Sequence, residues 1–107
     1  MSGFDDRERA FETQYAREEE LQFRIHARRN KLVGLWAADK MGLTPEESDS
    51  YAKSVVQADF EEAGDEDVVR KLLGDLVSAG VEMDEATIRA MLDEQTIAAR
   101  RQFIEGV

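Results

Sequence analysis

A chain of 107 residues with a formal net charge of −10 and no Cys has room for one domain and one modest core, burying roughly 60–70% of its unfolded surface. The acidic balance argues against nucleic acid and anionic membrane surfaces, which attract basic patches, and favours basic or mixed-charge partners. Without Cys there is no disulfide framework, thiolate metal site or Cys nucleophile. Charge begins at Asp5 and the longest uncharged run covers only residues 32–38. Neither a secretory leader nor a membrane span of roughly 20 apolar residues is expected, so a soluble intracellular protein is.

A single Pro and the scarcity of β-branched runs point to helices throughout. The first segment runs from about Asp5 to Met41. Phe4, Phe11 and Tyr15 fall on one face of its early part, and Asp5 with Arg9 and Glu20 with Arg24 are acid-before-base pairs four apart, each contributing a few tenths of a kcal/mol. The first 19 residues offer little else that is apolar. A lone helix of that length is marginal in water, so residues 1–19 are expected to form an arm that is frayed or disordered by itself. From Leu21 an apolar stripe strengthens through Ile25, Leu32, Leu35 and Trp36 at helical spacing, and Trp36 is expected to anchor the core. Gly34 is either a site of close approach by a neighbouring helix or a hinge. Gly42 ends the helix as a left-handed cap.

Charge divides along the same line. Through Lys31 the acids Asp5, Asp6, Glu8, Glu12, Glu18, Glu19 and Glu20 are balanced by Arg7, Arg9, Arg17, Arg24, Arg28, Arg29 and Lys31, so the net −10 falls on residues 32–107.

Thr44, Pro45 and Glu47 spell a capping box with Pro at the first helical position. The second helix buries Ala52, Val55, Val56 and Phe60, holds Tyr51 at its edge and stops at Gly64. Asp65 caps a third helix whose stripe is Val68, Val69, Leu72, Leu73, Leu76 and Val77; Gly74 reads as a close-packing site and Gly80 as the stop. Asp84 caps the fourth, which turns Ile88, Met91, Leu92, Gln95, Ala99 and Phe103 inward, with Arg100 and Arg101 complementing its dipole. Expected, then, is an all-α four-helix bundle over residues 20–107 (helices about 20–41, 45–63, 66–79 and 85–105) carrying a flexible or partly helical N-terminal arm.

Catalytic chemistry fails on residue type. His26 is the sole His, too few for a zinc site of the usual kind, and Phe23 stands where a di-iron Glu-x-x-His motif needs Glu. His26 reads as a surface residue, with a pH switch as the sharper alternative. An EF-hand loop started at Asp59 puts Gly64 correctly, but Ala63 and Arg70 occupy ligand positions. No phosphate loop and no Gly-x-Ser-x-Gly elbow occurs. No catalytic or metal site is expected, and the chain reads as a non-enzyme. What remains is the arm. Phe4, Phe11 and Tyr15, interleaved with Arg7, Arg9 and Arg17, suit a helix that orders in a partner's groove. The alternative is that the aromatics cap one end of the bundle.

Three blocks of the sequence carry a resemblance. Asp5-Asp6-Arg7-Glu8-Arg9-Ala10-Phe11-Glu12, then Ala27-Arg28-Arg29-Asn30-Lys31-Leu32-Val33-Gly34-Leu35-Trp36-Ala37-Ala38, then Asp59-Phe60-Glu61-Glu62 with Gly64-Asp65-Glu66-Asp67-Val68 resemble the zeta subunit of α-proteobacterial F-type ATP synthases. The resemblance extends in order over nearly the whole chain. It implies a four-helix bundle whose N-terminal inhibitory arm, here Phe4 to about Glu19, enters a catalytic interface of the ATPase head beside the rotor and blocks ATP hydrolysis. The implied partners are the alpha, beta and gamma subunits. The implied place is the cytoplasm, peripheral to the inner membrane through the ATP synthase, and the free chain is expected to be monomeric. No cofactor is required. ADP or ATP is implied as a regulatory ligand of the bundle; Arg28, Arg29 and Lys31 are candidates for it on charge alone. The competing readings are an adenine-nucleotide-sensing helical module and a generic helical adaptor.

Overall fold

The computed structural model describes the backbone of residues 2–59 and 64–104, with side chains from residue 18 onward in those ranges. Among the described residues there are four helices and no strand: α1 (Ser2–Lys40), α2 (Pro45–Ala58), α3 (Glu66–Ser78) and α4 (Glu85–Ile104). The expected all-α bundle is present. α1 packs most extensively against α2 and α4, while α3 closes the bundle against its neighbours.

Neither Pro nor Gly interrupts the chain between Phe4 and Gly34, and α1 passes through residues 19 and 20 without a break. At 1.5 Å per residue its 39 residues span roughly 58 Å, whereas α2 and α3 each reach roughly 20 Å and α4 about 30 Å. The molecule measures 65 × 28 × 22 Å, so α1 sets its long axis and the shorter helices cover only part of it.

The ends of the helices follow local chemistry. α1 and α3 close in the same six-residue motif, in which a left-handed Gly lets its own amide and the next one turn back onto free carbonyls. Gly42 (φ 72) donates to the Asp39 carbonyl at 3.1 Å and Leu43 to that of Ala38 at 3.1 Å. Gly80 (φ 84) and Val81 repeat this on Val77 and Leu76. At the start of α2 the capping box is complete: the Glu47 amide donates to Thr44 Oγ1 at 3.2 Å and the Thr44 amide to Glu47 Oε1 at 2.9 Å. Asp84 accepts from the Thr87 amide at 2.7 Å. Backbone donors hold the carboxyls of Glu47 and Asp84 below the usual range.

The core is made of Val33, Ala37, Val55, Val68, Val69, Leu72, Leu76, Ile88 and Leu92. Trp36 is not its anchor. It packs half-buried at the edge, with the Lys40 ammonium 5.3 Å from its ring, because the buried line of α1 runs through the small residues Val33, Gly34, Ala37 and Ala38. Two further expectations fail at the margins of apolar stripes. Val77, one turn beyond half-buried Leu73, is 55% exposed, and Phe103, one turn beyond buried Ala99, is 38% exposed; in both cases the stripe runs past the surface its neighbours cover. Phe60 lies outside the described residues. Tyr51 does sit at an edge, donating to Asp75 Oδ2 at 2.8 Å, and burial together with that carboxylate pushes its phenol above the ordinary range.

Gly34 is a packing site. A Cβ built there would lie 2.8 Å from the Ala52 Cα and 3.3 Å from Val55 Cγ2, so α2 rests directly on the α1 backbone. Gly74, expected to do the same, has nothing within 4 Å of such a Cβ. The two therefore answer the same substitution oppositely. In urea unfolding, Gly34→Ala is expected to lose about 1–3 kcal/mol through overpacking, while Gly74→Ala gains about 1 kcal/mol from helix propensity. Stabilisation by Gly34→Ala would show that α2 does not need the contact.

Candidate functional site

Two features of α1 stand apart from the core: its N-terminal stretch and a partly buried charge node, centred on buried Arg29, near the start of the packed segment. The node begins with a cap that does not cap. Asp65 precedes α3 with φ −97 and ψ 0, and its side chain makes no capping bond. A capping carboxylate reaches the first helical amides from the extended region, and this helical backbone aims it elsewhere. It meets Arg29 instead. Nη2 donates to Asp65 Oδ1 at 2.9 Å and Nη1 to Oδ2 at 3.2 Å, a two-pronged pairing that suits the planar guanidinium.

Arg29 is only 5% exposed. Its Nε and Nη2 also donate to Asn30 Oδ1 at 3.1 and 2.9 Å, and Nη2 lies 2.9 Å from His26 Nε2. That same ring nitrogen is 2.8 Å from Asp59 Oδ2 and 3.8 Å from Asp65 Oδ1. The node thus ties one face of α1 to the end of α2 and the start of α3. Arg29 holds the Asp65 carboxyl below its usual range, mainly through the hydrogen bonds, with His26 and Arg89 adding attraction. Asn30, 1% exposed, leaves its Nδ2 without a partner among the described residues, the residual cost of placing so much polarity inside.

His26, Asp59 and Asp65 offer ligand atoms within 4.8 Å of one another. The guanidinium of Arg29 is hydrogen-bonded to Asp65 and lies 2.9 Å from His26 Nε2, so the cation these groups surround is supplied by the chain itself. A metal ion would have to displace it.

The residues named from the sequence separate. Arg29 is turned inward and committed to Asp65, while Lys31 is exposed and Arg28 half-buried; these two lie on a different face from Arg29. Neither borders the cleft of ≈ 340 Å³ beside the node, whose walls include Phe23, Ala27, Val56 and Asp59. His26 is not a plain surface residue but part of the node. For Phe4, Arg7, Arg9, Phe11, Tyr15 and Arg17 the backbone is helical; their side chains lie outside the described residues. Positions 4, 11 and 15 fall on one line of that helix. The described continuation carries exposed Glu18, Glu19 and Glu20, with Arg24 bridging Glu20 at 2.7 Å, and burial begins at Ile25.

The node went unread in the sequence, yet one signal was available. Ile25, Arg29 and Val33 are spaced four apart, so an Arg occupies the middle of a stripe whose flanking members are both buried. That position forces either burial of a charge or a break in the packing.

Comparison with known proteins places the whole chain. A family model described as ATPase inhibitor subunit zeta matches residues 1–102. A protein of known solution NMR structure is 46% identical, with a TM-score of 0.71, the match covering 81% of this chain and 99% of that one. No curated protein matches the chain.

Arg29→Met is expected to cost about 2–3 kcal/mol, since it strands Asp65 and the Asn30 carbonyl. Because folding lowers the Asp65 titration below the ordinary value of about 3.9, the ion pair stabilises at neutral pH, and that contribution disappears as pH falls below about 4 through the folded value. Acid unfolding followed by circular dichroism should therefore be steeper for the unaltered chain than for Asp65→Asn. Equal slopes would mean that Asp65 carries no such linkage.

Proposed function

The chain belongs to the ATPase inhibitor subunit zeta family, and on that premise we propose that it is a non-enzymatic regulator which stops ATP hydrolysis by the F-type ATP synthase by seating the N-terminal part of α1 in a catalytic interface of the ATPase head. Family membership carries an ATPase-inhibiting role and an association with the ATP synthase. No described helix is long and apolar enough to cross a membrane. The seat between alpha and beta subunits beside gamma, and a cytoplasmic position peripheral to the inner membrane, belong to the proposal.

The observation that supports this reading most is the mismatch of helix lengths. The first buried described side chain of α1 is Ile25, roughly 35 Å along the helix axis from Ser2. Such a helix is slender, about 10–12 Å across with side chains, and fits a crevice that a bundle with transverse dimensions of 28 × 22 Å cannot enter. The bundle then acts as a handle that limits how far the helix goes in. A rotor turning in the hydrolytic direction would press against a rod held at its base. Phe4, Phe11 and Tyr15 supply the apolar line of the inserted helix, and Arg7, Arg9 and Arg17 pair with acids of the partner. Aromatic and Arg side chains are the types that carry most binding energy at such interfaces.

ADP or ATP enters the same proposal as a regulatory ligand and not as a cofactor. Arg28 and Lys31 are accessible to a phosphate, whereas Arg29 is engaged by Asp65.

The test is hydrolysis of ATP by an isolated cognate ATPase head. The full chain should inhibit; a chain beginning at Glu20 should not, while keeping its helical circular dichroism. Phe11→Ala should weaken inhibition roughly thirtyfold, corresponding to about 2 kcal/mol, with an unchanged melting temperature. Inhibition by both lengths would move the active segment into the bundle, and inhibition by neither would end this reading.

A further inference from the structure

The geometry points to a pH-operated latch between α1 and the α2–α3 junction, in which His26 exchanges Arg29 for Asp59 as its partner when it takes up a proton; its regulatory consequence rests on the inhibitory reading above, its existence does not.

The inference comes from one atom. His26 Nε2 lies 2.8 Å from Asp59 Oδ2 and 2.9 Å from Arg29 Nη2, and both are hydrogen-bond distances. A ring nitrogen carries either a proton or a lone pair. With a proton it donates to the Asp59 carboxylate and cannot accept from the guanidinium. With a lone pair it accepts from Arg29 and faces Asp59 with nothing to donate. The two bonds exclude each other, so the node has two arrangements.

Each arrangement is chemically complete on the Arg29 side. When Nε2 is protonated, Nη2 still has Asp65 Oδ1 and Asn30 Oδ1 at 2.9 Å each, so its loss is small. When the ring is neutral and its proton sits on Nδ1, Nε2 becomes a third acceptor for the two Nη2 protons, sharing one with Asn30 Oδ1, which also accepts from Arg29 Nε. Imidazolium has protons on both nitrogens, which leaves Asp59 as the only one of the two partners it can use. Histidine is the side-chain type whose charge ordinarily changes near neutral pH, and the direction of the exchange follows from the geometry alone.

The surrounding charges are few and can be named. On α1 Arg29 opposes the imidazolium, and Glu19, which lines the same cleft as His26, lies two turns away. Asp59 at the end of α2 and Asp65 at the start of α3, 3.8 Å away, favour it. From α4, Arg89 acts on Asp65 and is itself bridged to Glu66 and Glu85 at 2.8 Å each. Glu61 and Glu62 lie outside the described residues. At acid pH, α1 is thus joined to the junction at two points, His26–Asp59 and Arg29–Asp65; at alkaline pH only the second remains. The node sits where the N-terminal part of α1 leaves the bundle, so the additional tie stiffens the base of that helix.

His26 is the only His in the chain, which makes the test direct. Ring ¹⁵N shifts and backbone amides of the full-length protein are followed by NMR from pH 5 to 8.5. Expected are a neutral ring protonated on Nδ1 at high pH, and amides of Asp59, Gly64 and Asp65 that move with the His26 midpoint. In Asp59→Ala the ring should still titrate while the Gly64 and Asp65 amides no longer follow. Junction amides that stay flat in the unaltered chain, or a neutral ring protonated on Nε2, would overturn the latch. The regulatory half is read separately, as inhibition of the ATPase head at pH 6 and pH 8. The unaltered chain should gain about threefold on acidification relative to His26→Gln, the scale of one partly exposed ion pair. Equal ratios with the NMR result intact would overturn regulation alone. No inhibition by either chain, with the same NMR result, would reject the inhibitory reading and leave the latch standing.

Discussion

Among the described side chains of α1, burial starts at Ile25 and ends at Ala38, and each of the helices that cover this segment is shorter than α1. Burial needs two surfaces, and α2, α3 and α4 supply enough helix for the segment from Ile25 to Lys40. Everything before it keeps its helical form without a described core of its own. A lone helix gains little from propensity and nucleates poorly; here the nucleus is provided by the bundle, and the N-terminal turns propagate from a segment already held. Continuity from the packed half into the projecting half is what gives the projecting half a fixed starting direction.

The packed half is unusual in how it is held. Its apolar line consists of small residues, and the chain meets this by bringing α2 onto the backbone at Gly34, with Ala52 directly opposite. Close approach lets a helix with few large side chains still make many dispersion contacts. At the arm-side end the line is interrupted by Arg29, and there apolar packing gives way to a polar node. Such a node is a poor source of net stability, since desolvating the charges offsets much of their attraction. Its value is geometric. It ties the α2–α3 junction to α1 through the Arg29–Asp65 pair in either protonation state of His26, close to where burial on α1 begins.

Division of labour follows from this. On the proposed mechanism the slender N-terminal part of α1 enters a crevice and the bulkier bundle stays outside. Under the proposed reading, one helix shared between the two parts provides the join without a separate linker. The strong negative charge is carried after Lys31, on the bundle, whereas the preceding stretch is balanced. On the proposed reading, a neutral mixed-charge segment can meet both acids and bases of a partner.

Much was legible in the sequence because it depends on neighbours along the chain. The capping box at Thr44 to Glu47, the Asp84 cap, the left-handed turns at Gly42 and Gly80 and the α3 stripe from Val68 to Leu76 are decided within a few residues, and each is found where the spacing puts it. The ordered resemblance to an inhibitor family is likewise a property of the sequence, and the family assignment holds. Tertiary structure decided the rest. Trp36, Val77 and Phe103 are apolar and correctly phased, yet how far each is covered depends on where the next helix ends. Gly34 and Gly74 look alike in a helix, and only the approach of α2 separates them. Asp65 has the residue type of a cap and a backbone that denies it the role, and its partner Arg29 lies 36 positions away. Pairing across that distance is set by how the helices pack, and no local rule of spacing reaches so far.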